Sequence, residues 1–251
     1  MKKSVSFMAT TFVLLQSNSY AQTSKEVLTK MKAAIASDKT YQAIILMSTD
    51  AGKAGKMQMQ LDLKTEQKKM ALKITPIGQA TGQMAMAAAM TNSQMYDDGI
   101  TMYQYMPAQK MYRKRPSTGG SIGLPMDSIV KGDINKLSTA FKVSGTENVA
   151  GKACTVLVSS SPKNAQGQSG VTKLYVDKAT YHFKQLVMEM SGAGPQGPNT
   201  IKTTMVVKSE SSNMPINPSV FKFVPPAGSK EAPEQPQGGA PGMGAPGRKK
   251  Q

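Results

Sequence analysis

Residues 56–64, KMQMQLDLK, alternate apolar and polar side chains without a break. Met57, Met59, Leu61 and Leu63 fall on one side of an extended chain, and Gln58, Gln60 and Asp62 on the other. Successive strand side chains point to opposite faces, so this pattern specifies a strand with one face on a core and one in water. A helix would scatter the same four apolar residues around its circumference. The chain must therefore build an antiparallel sheet and lay something apolar on one side of it.

The neighbouring segments extend that reading. Residues 41–49 (YQAIILMST) are rich in β-formers, and after the turn at Thr65-Glu66-Gln67 the residues Met70, Leu72 and Ile74 keep the alternation until Pro76. Further strands are expected at 93–97, 100–106, 110–115, 141–148, 153–160, 171–177, 181–190 and 200–209, with a last edge segment at 218–223. Such a sheet, of roughly ten strands, must curl strongly or close. No strand–helix–strand alternation is present, which excludes a doubly wound fold. A helix opens this region: Thr23-Ser24-Lys25-Glu26 is a capping box, and Val27, Leu28, Met31, Ala34 and Ile35 follow as one apolar stripe. The Ala- and Met-rich segment 79–92 reads as a short helix or flap, and 125–140 as one or two short helices. The fold class is mainly β (α+β): a curved antiparallel sheet with helices over its concave apolar face.

Three parts are expected along the chain. Residues 1–21 read as an export signal, with Lys2 and Lys3 ahead of a short apolar run and Ser19-Tyr20-Ala21 before the cleavage point. The run is too short to span a bilayer. Residues 22–228 make one domain, and 229–251, rich in Pro, Gly and Gln, read as a disordered tail. Of the 31 basic residues, the signal takes Lys2 and Lys3; 29 remain against 15 acidic ones, a net charge of +14. That balance favours anionic partners, a transient membrane surface among them, while export argues against nucleic acid. The periplasm is the expected compartment. Cys154 is the single cysteine, so the fold has no internal disulfide.

The segment DDGITMYQYMPAQKMYRKRP, residues 97–116, adds a complication. Asp98-Gly99 and Pro107-Ala108-Gln109-Lys110 are reversals, which makes a hairpin. One strand face then carries Met102 and Met106, and the other Thr101, Tyr103 and Tyr105. Neither face is polar. The tyrosines are expected to pack against the barrel's own curled edge or the middle helices.

Catalytic chemistry has few materials to work with. His182 is the only histidine, no Gly-x-Ser-x-Gly elbow or Gly-rich phosphate loop occurs, and Asp97-Asp98 read as turn formers rather than paired acids. His182 reads as a structural or surface residue, no enzyme is expected, and neither is a cofactor. Methionine is the unusual component: 18 of the 20 remain once Met1 and Met8 leave with the signal. Flexible thioethers suit a surface that accepts varied apolar shapes, or simply fill a core. The pairs Met57/Met59, Met84/Met86 and Met188/Met190 also raise Cu(I) binding, a weaker reading because i and i+2 share a strand face in any case; no metal site is assigned.

In the order of its segments the chain resembles the LolA-like superfamily, periplasmic outer-membrane lipoprotein carriers and their relatives. The resemblance rests on the opening helix running into YQAIILMSTD, on NSQMYDDGITMYQYMPAQKMYRK, on VSGTENVAGKACTVLVSS, on LYVDKATYHFKQLVM and on INPSVFKFVPPAG, together covering most of residues 23–228. It implies an incompletely closed β-barrel with helices as a lid, acyl chains of a lipid or lipoprotein held between, and donor and acceptor proteins at the inner and outer membranes. The carriers' lid-holding arginine has no counterpart in YQAIILMSTD, so that role is not carried over. The residues expected to line an apolar cavity come from the alternation instead: Met57, Met59, Leu61, Leu63, Met70, Leu72 and Ile74 on the sheet, with Met86 and Met90 on the lid. Two functions are open at this point. One is carriage of acyl chains toward the outer membrane; the other is an envelope sensor that binds a protein segment without lipid.

Overall fold

A computed structural model of the chain describes residues 22–117, 119, 132–164, 167–194 and 197–233. The export signal expected at 1–21, the helical stretch before Gly132 and the end of the tail lie outside the described residues. Helix α1 (Ser24–Ser37) leads into β1 (Thr40–Asp50), β2 (Lys56–Glu66) and β3 (Lys69–Pro76). Helix α2 (Met84–Thr91) separates these from β4 (Ser93–Asp97), β5 (Thr101–Met106) and β6 (Met111–Pro116). Helix α3 (Ile134–Ala140) then precedes β7 (Phe141–Val149), β8 (Lys152–Ser161), β9 (Ser169–Asp177), β10 (Phe183–Gly194) and β11 (Gly197–Ser212). A short β12 (Lys230–Glu231) comes last.

All twelve strands belong to one curved, unclosed sheet in the order β12-β6-β5-β4-β3-β2-β1-β11-β10-β9-β8-β7. The chain thus forms two antiparallel wings, β1–β6 and β7–β11, joined where β1 pairs with β11 over the full span from Tyr41↔Ser212 to Asp50↔Lys202. A helix leads each wing, and the two helices meet: Ser24 Oγ donates to the Ser138 carbonyl at 3.0 Å. Helix α1 has the expected capping box, with Glu26 N donating to Thr23 Oγ1 at 3.2 Å and Thr23 N donating to Glu26 Oε2 at 2.9 Å. Its stripe lands on the sheet: Val27, Leu28 and Met31 are buried.

Helix α2 is held by its leading segment. Thr81 N donates to the Lys56 carbonyl and Lys56 N donates to Thr81 Oγ1, both at 3.0 Å. Gly55 makes this approach feasible. Its φ is +106°, and a Cβ there would lie 1.9 Å from the Thr81 carbonyl oxygen. Backbone cannot yield as a side-chain tip can.

Among the described residues, the hairpin tyrosines pack around Phe223 rather than against the barrel edge or the middle helices. Tyr96, Tyr103, Tyr105 and Tyr112 share the face opposite Met102 and surround Phe223, with ring centroids 5.6, 5.1, 6.0 and 5.2 Å away. Phe223 belongs to the segment after β11, which crosses the convex face as a strap. Phe221, two residues earlier, is 2% exposed on the same strap. The edge strand expected at 218–223 is instead a 3-10 turn, Pro218–Phe221, because Asn217 caps it by accepting from Ser219 N at 3.0 Å. Beyond the strap a final short strand returns to the sheet. Lys230↔Met111 and Glu231↔Tyr112 pair in parallel and cover the first two residues of the β6 edge.

The other edge, β7, is free among the described residues. Residues 142–148 are all exposed, and the pairing with β8 slips between Val143 and Gly145.

Two outcomes check these statements. Phe223→Ala removes a half-buried ring from four aromatic contacts and is expected to cost about 2 kcal/mol in urea unfolding followed by tyrosine fluorescence. Gly55→Ala, forced against backbone at positive φ, is expected to cost about 2–4 kcal/mol by the same measurement.

Candidate functional site: the concave apolar face

Cross-strand register assembles the site. Leu61 stands between Ile45 on β1 and Ile74 on β3, and Leu63 between Ala43 and Leu72. Leu72 faces Met95 on β4. These pairs point the same way, so the alternation first seen in residues 56–64 becomes one apolar surface. Of the expected lining residues, Met59, Leu61, Leu63, Met70 and Leu72 belong to a single buried cluster of nineteen residues. Met57 and Ile74 are half-buried against its margin.

Met86 does not join them. It projects from α2 and is 75% exposed, while Ala88 on the same helix is buried. Met90 also belongs to α2, but its side chain lies outside the described ones.

The cluster crosses the junction between the wings. Met205 and Val207 on β11, Leu186 on β10, Leu174 and Val176 on β9, Leu157 on β8 and Phe141 on β7 continue it. None of these was singled out from sequence, although Leu174-Tyr175-Val176 and Leu186-Val187-Met188 carry the same two-residue period. Their opposite neighbours explain the miss. Tyr175 and Val187 are also apolar and form a small second cluster on the convex face with Val149, Cys154 and Val156, so inside and outside read alike. Cys154 is wholly buried, and burial pushes its thiol up from its ordinary range.

Methionine gathers at the centre. Met47 pairs with Met59 on one side and Met205 on the other, which sets three thioethers in one row across β2, β1 and β11. Met31 approaches from α1, and Met57, Met95, Met102 and Met188 lie around them. Such a surface re-packs easily, since each side chain has three rotatable bonds. Val27, Leu28 and Met31 of α1 are 0–2% exposed and belong to the same cluster, so the first helix covers part of the face itself.

A knot of charged side chains closes one end. Asp38, which caps α1, accepts from Ser212 Oγ at 3.1 Å and Asn213 Nδ2 at 3.5 Å. His182 Nε2 lies 3.1 Å from Asp38 Oδ2, out of line for a hydrogen bond, and its Nδ1 lies 3.8 Å from Glu210 Oε1. Lys184 Nζ donates to Glu210 Oε1 and sits 3.7 Å from Asp177 Oδ2. Tyr41 Oη donates to Glu210 Oε2 at 3.0 Å. Asp38, Asp177, His182, Lys184 and Glu210 are each at most 16% exposed, so each polar head group depends on its neighbours for solvation. His182 is therefore part of a structural clasp that fixes the end of α1 to the β1–β11 junction. Asp97 plays its expected turn part, accepting from Gly99 N and Ser117 Oγ at 2.8 Å.

Burial, reinforced by the charge and hydrogen bond of Glu210 and the charge of Asp38, pushes the Tyr41 phenol far above its ordinary value of 10.0. The folded protein thus keeps a proton that the unfolded chain releases above that pH. The contribution is intact below pH 10 and lost as pH rises beyond it. Urea midpoints at pH 9 and 11 are expected to fall more for the wild type than for Tyr41→Phe.

Among the described residues, no group of three His, Cys, Asp or Glu side chains is placed to hold a metal ion. Also among them, no helix is long and apolar enough to cross a membrane. No family profile and no curated protein matches the sequence. Solved structures do. An uncharacterized conserved protein from Thermus thermophilus is 10% identical over 84% of this chain and 100% of its own, with a TM-score of 0.48. A LolA superfamily protein from Nitrosomonas europaea is 10% identical over 81% and 99%, with a TM-score of 0.38. LprF from Mycobacterium bovis is 10% identical over 77% and 94%, also with a TM-score of 0.38. The strand order and the covered concave face define the fold on their own terms.

Proposed function

We propose that this chain is a periplasmic binding protein, not an enzyme, that holds the acyl chains of a lipid or lipoprotein against its concave face for transfer toward the outer membrane. The observation that carries the reading is the continuity of that face: one apolar, methionine-rich surface runs from β5 through the β1–β11 junction to β7. The first helix, held by the charged clasp at its C-terminal end and by Ser24, Lys30 and Lys32 along its length, covers part of it. Burial is the binding force. Each CH₂ removed from water contributes about 0.8 kcal/mol, so a sixteen-carbon chain gains roughly 10 kcal/mol when fully covered. Met57 and Ile74, half-buried at the margin, are the sheet residues a cargo would meet first, and Met86 and Met90 belong to the helix above. Release requires α1 or α2 to move, since a static cover would trap its load.

The sensor reading has one observation in its favour. Val27, Leu28 and Met31 already lie against the face, so the cluster is buried without any cargo. A protein segment docked elsewhere would need no change there.

Native mass spectrometry of gently purified protein separates the two. Adducts of lipid mass on the wild type, lost in Met57→Asp/Ile74→Asp and retained in the surface control Val224→Asp, are the expected result. Bare protein throughout, from membranes rich in lipid, would sink carriage.

A further inference from the structure

On the convex face, opposite the apolar surface, the strap stands away from the sheet and leaves a cavity of about 350 Å³. Its floor is built by register. Asp62 and Lys64 are two apart on β2, Lys73 lies directly across from Asp62, Ala71 across from Lys64, and Tyr96 across from Ala71 on β4. Its wall is the strap, with Ser219, Val220 and Lys222. Ala71 makes the depression, because the residues around it on this face are long. The backbone of Lys222 is anchored on both sides, by buried Phe221 and by Phe223 held among four tyrosines.

The charges here are unspent. Ion pairs tie down Lys56, Lys69, Lys114, Lys184 and Lys202 elsewhere. Among the described residues, Lys64, Lys73 and Lys222 have no such partner, and neither does Asp62. Three lysines and one carboxylate line this hollow, a net positive charge that a bound anion would offset. Three lysines as point charges suit a phosphate. One carboxylate in the same hollow suits a donor beside that phosphate, and Val220 and Ala71 give the organic part an apolar wall. A bare ion would leave most of this volume empty.

We propose that this cavity binds a phosphate ester bearing a hydroxyl-rich headgroup, with phosphate on Lys64, Lys73 and Lys222 and a hydroxyl donating to Asp62. Glycerol phosphate, free or as the headgroup of phosphatidylglycerol, has that chemistry. The site lies across the sheet from the proposed acyl surface and does not depend on it.

The test uses the full chain and three probes: inorganic phosphate, sn-glycerol 3-phosphate, and vesicles of phosphatidylglycerol against vesicles of phosphatidylcholine. Calorimetry with glycerol phosphate is expected to show saturable one-site binding, tighter than for inorganic phosphate. Lys64→Gln/Lys73→Gln/Lys222→Gln is expected to weaken it at least about tenfold, from the loss of charge-assisted bonds. The charge-matched control Lys136→Gln/Lys142→Gln/Lys163→Gln should shift it less than about threefold, since screened distant charges add little. Ala71→Leu fills the floor without changing charge and should abolish binding, with circular dichroism and the urea midpoint confirming that each variant folds. Binding to phosphatidylglycerol vesicles that depends on the same three lysines makes a lipid headgroup the source; saturable binding of glycerol phosphate without it makes the source a soluble ester. Equal losses in the two triple variants, unchanged binding in Ala71→Leu, or no saturable binding of glycerol phosphate would each overturn the site.

Discussion

The pairing of β1 with β11 is the constraint on which the architecture depends. These strands are separated by more than a hundred residues of chain, yet they run together along the whole of β1. Without that ladder the protein would be two wings, each an antiparallel meander with one uncovered apolar face. With it, Met47 and Met205 become neighbours and the two faces fuse into one. The entropic cost of closing so long a loop is offset by burial on both sides of the seam. The charged clasp belongs to the same seam. Asp38, Tyr41 and Glu210 all sit where β1 begins and β11 ends, so the orientation of α1 is coupled to the union of the wings.

The two sides of the sheet solve the burial problem differently. The concave side is apolar over many strands and is covered by helices, whereas the convex side, beyond the seam residues Ile44, Leu46 and Val206, gathers its apolar side chains at two places. One is the small cluster around Cys154 and Tyr175; the other is the aromatic cage around Phe223. The strap thereby closes a hydrophobic gap and positions Lys222 in a single act of packing. Cover on one face and a narrow strap on the other leave the sheet accessible from two directions with distinct chemistry.

How far the sequence carried these conclusions depends on the range of the interactions. Residues 56–64 announced their faces because every second residue was polar, and the opening helix announced itself through a local capping box. Both signals need only neighbours in the chain. The tyrosine hairpin gave the right anomaly and the wrong explanation, since its cover comes from Phe223, more than a hundred residues later. The strap was misread for a related reason: SVFKF has strand propensity, but the Asn217 cap and the anchoring of both phenylalanines bend it into a turn. The second-wing half of the apolar surface stayed hidden because β8, β9 and β10 bury residues on both faces, which erases the period. Of the charged clasp, sequence offered only a lone histidine; its partners Asp38 and Glu210 lie on distant segments.

The free strand β7 has a bearing on how the protein behaves at high concentration. A straight exposed edge would offer a row of unpaired backbone groups to a second molecule and seed a continuous ribbon of sheets. Here the slip between Val143 and Gly145 interrupts that row midway, and Gly145, at φ +147°, has the backbone latitude the irregularity requires. The opposite border is already occupied by Lys230 and Glu231, whose direction is parallel and whose length is two residues. One border is thus out of rhythm and the other is capped over Met111 and Tyr112, which shortens the template on which this sheet could polymerise.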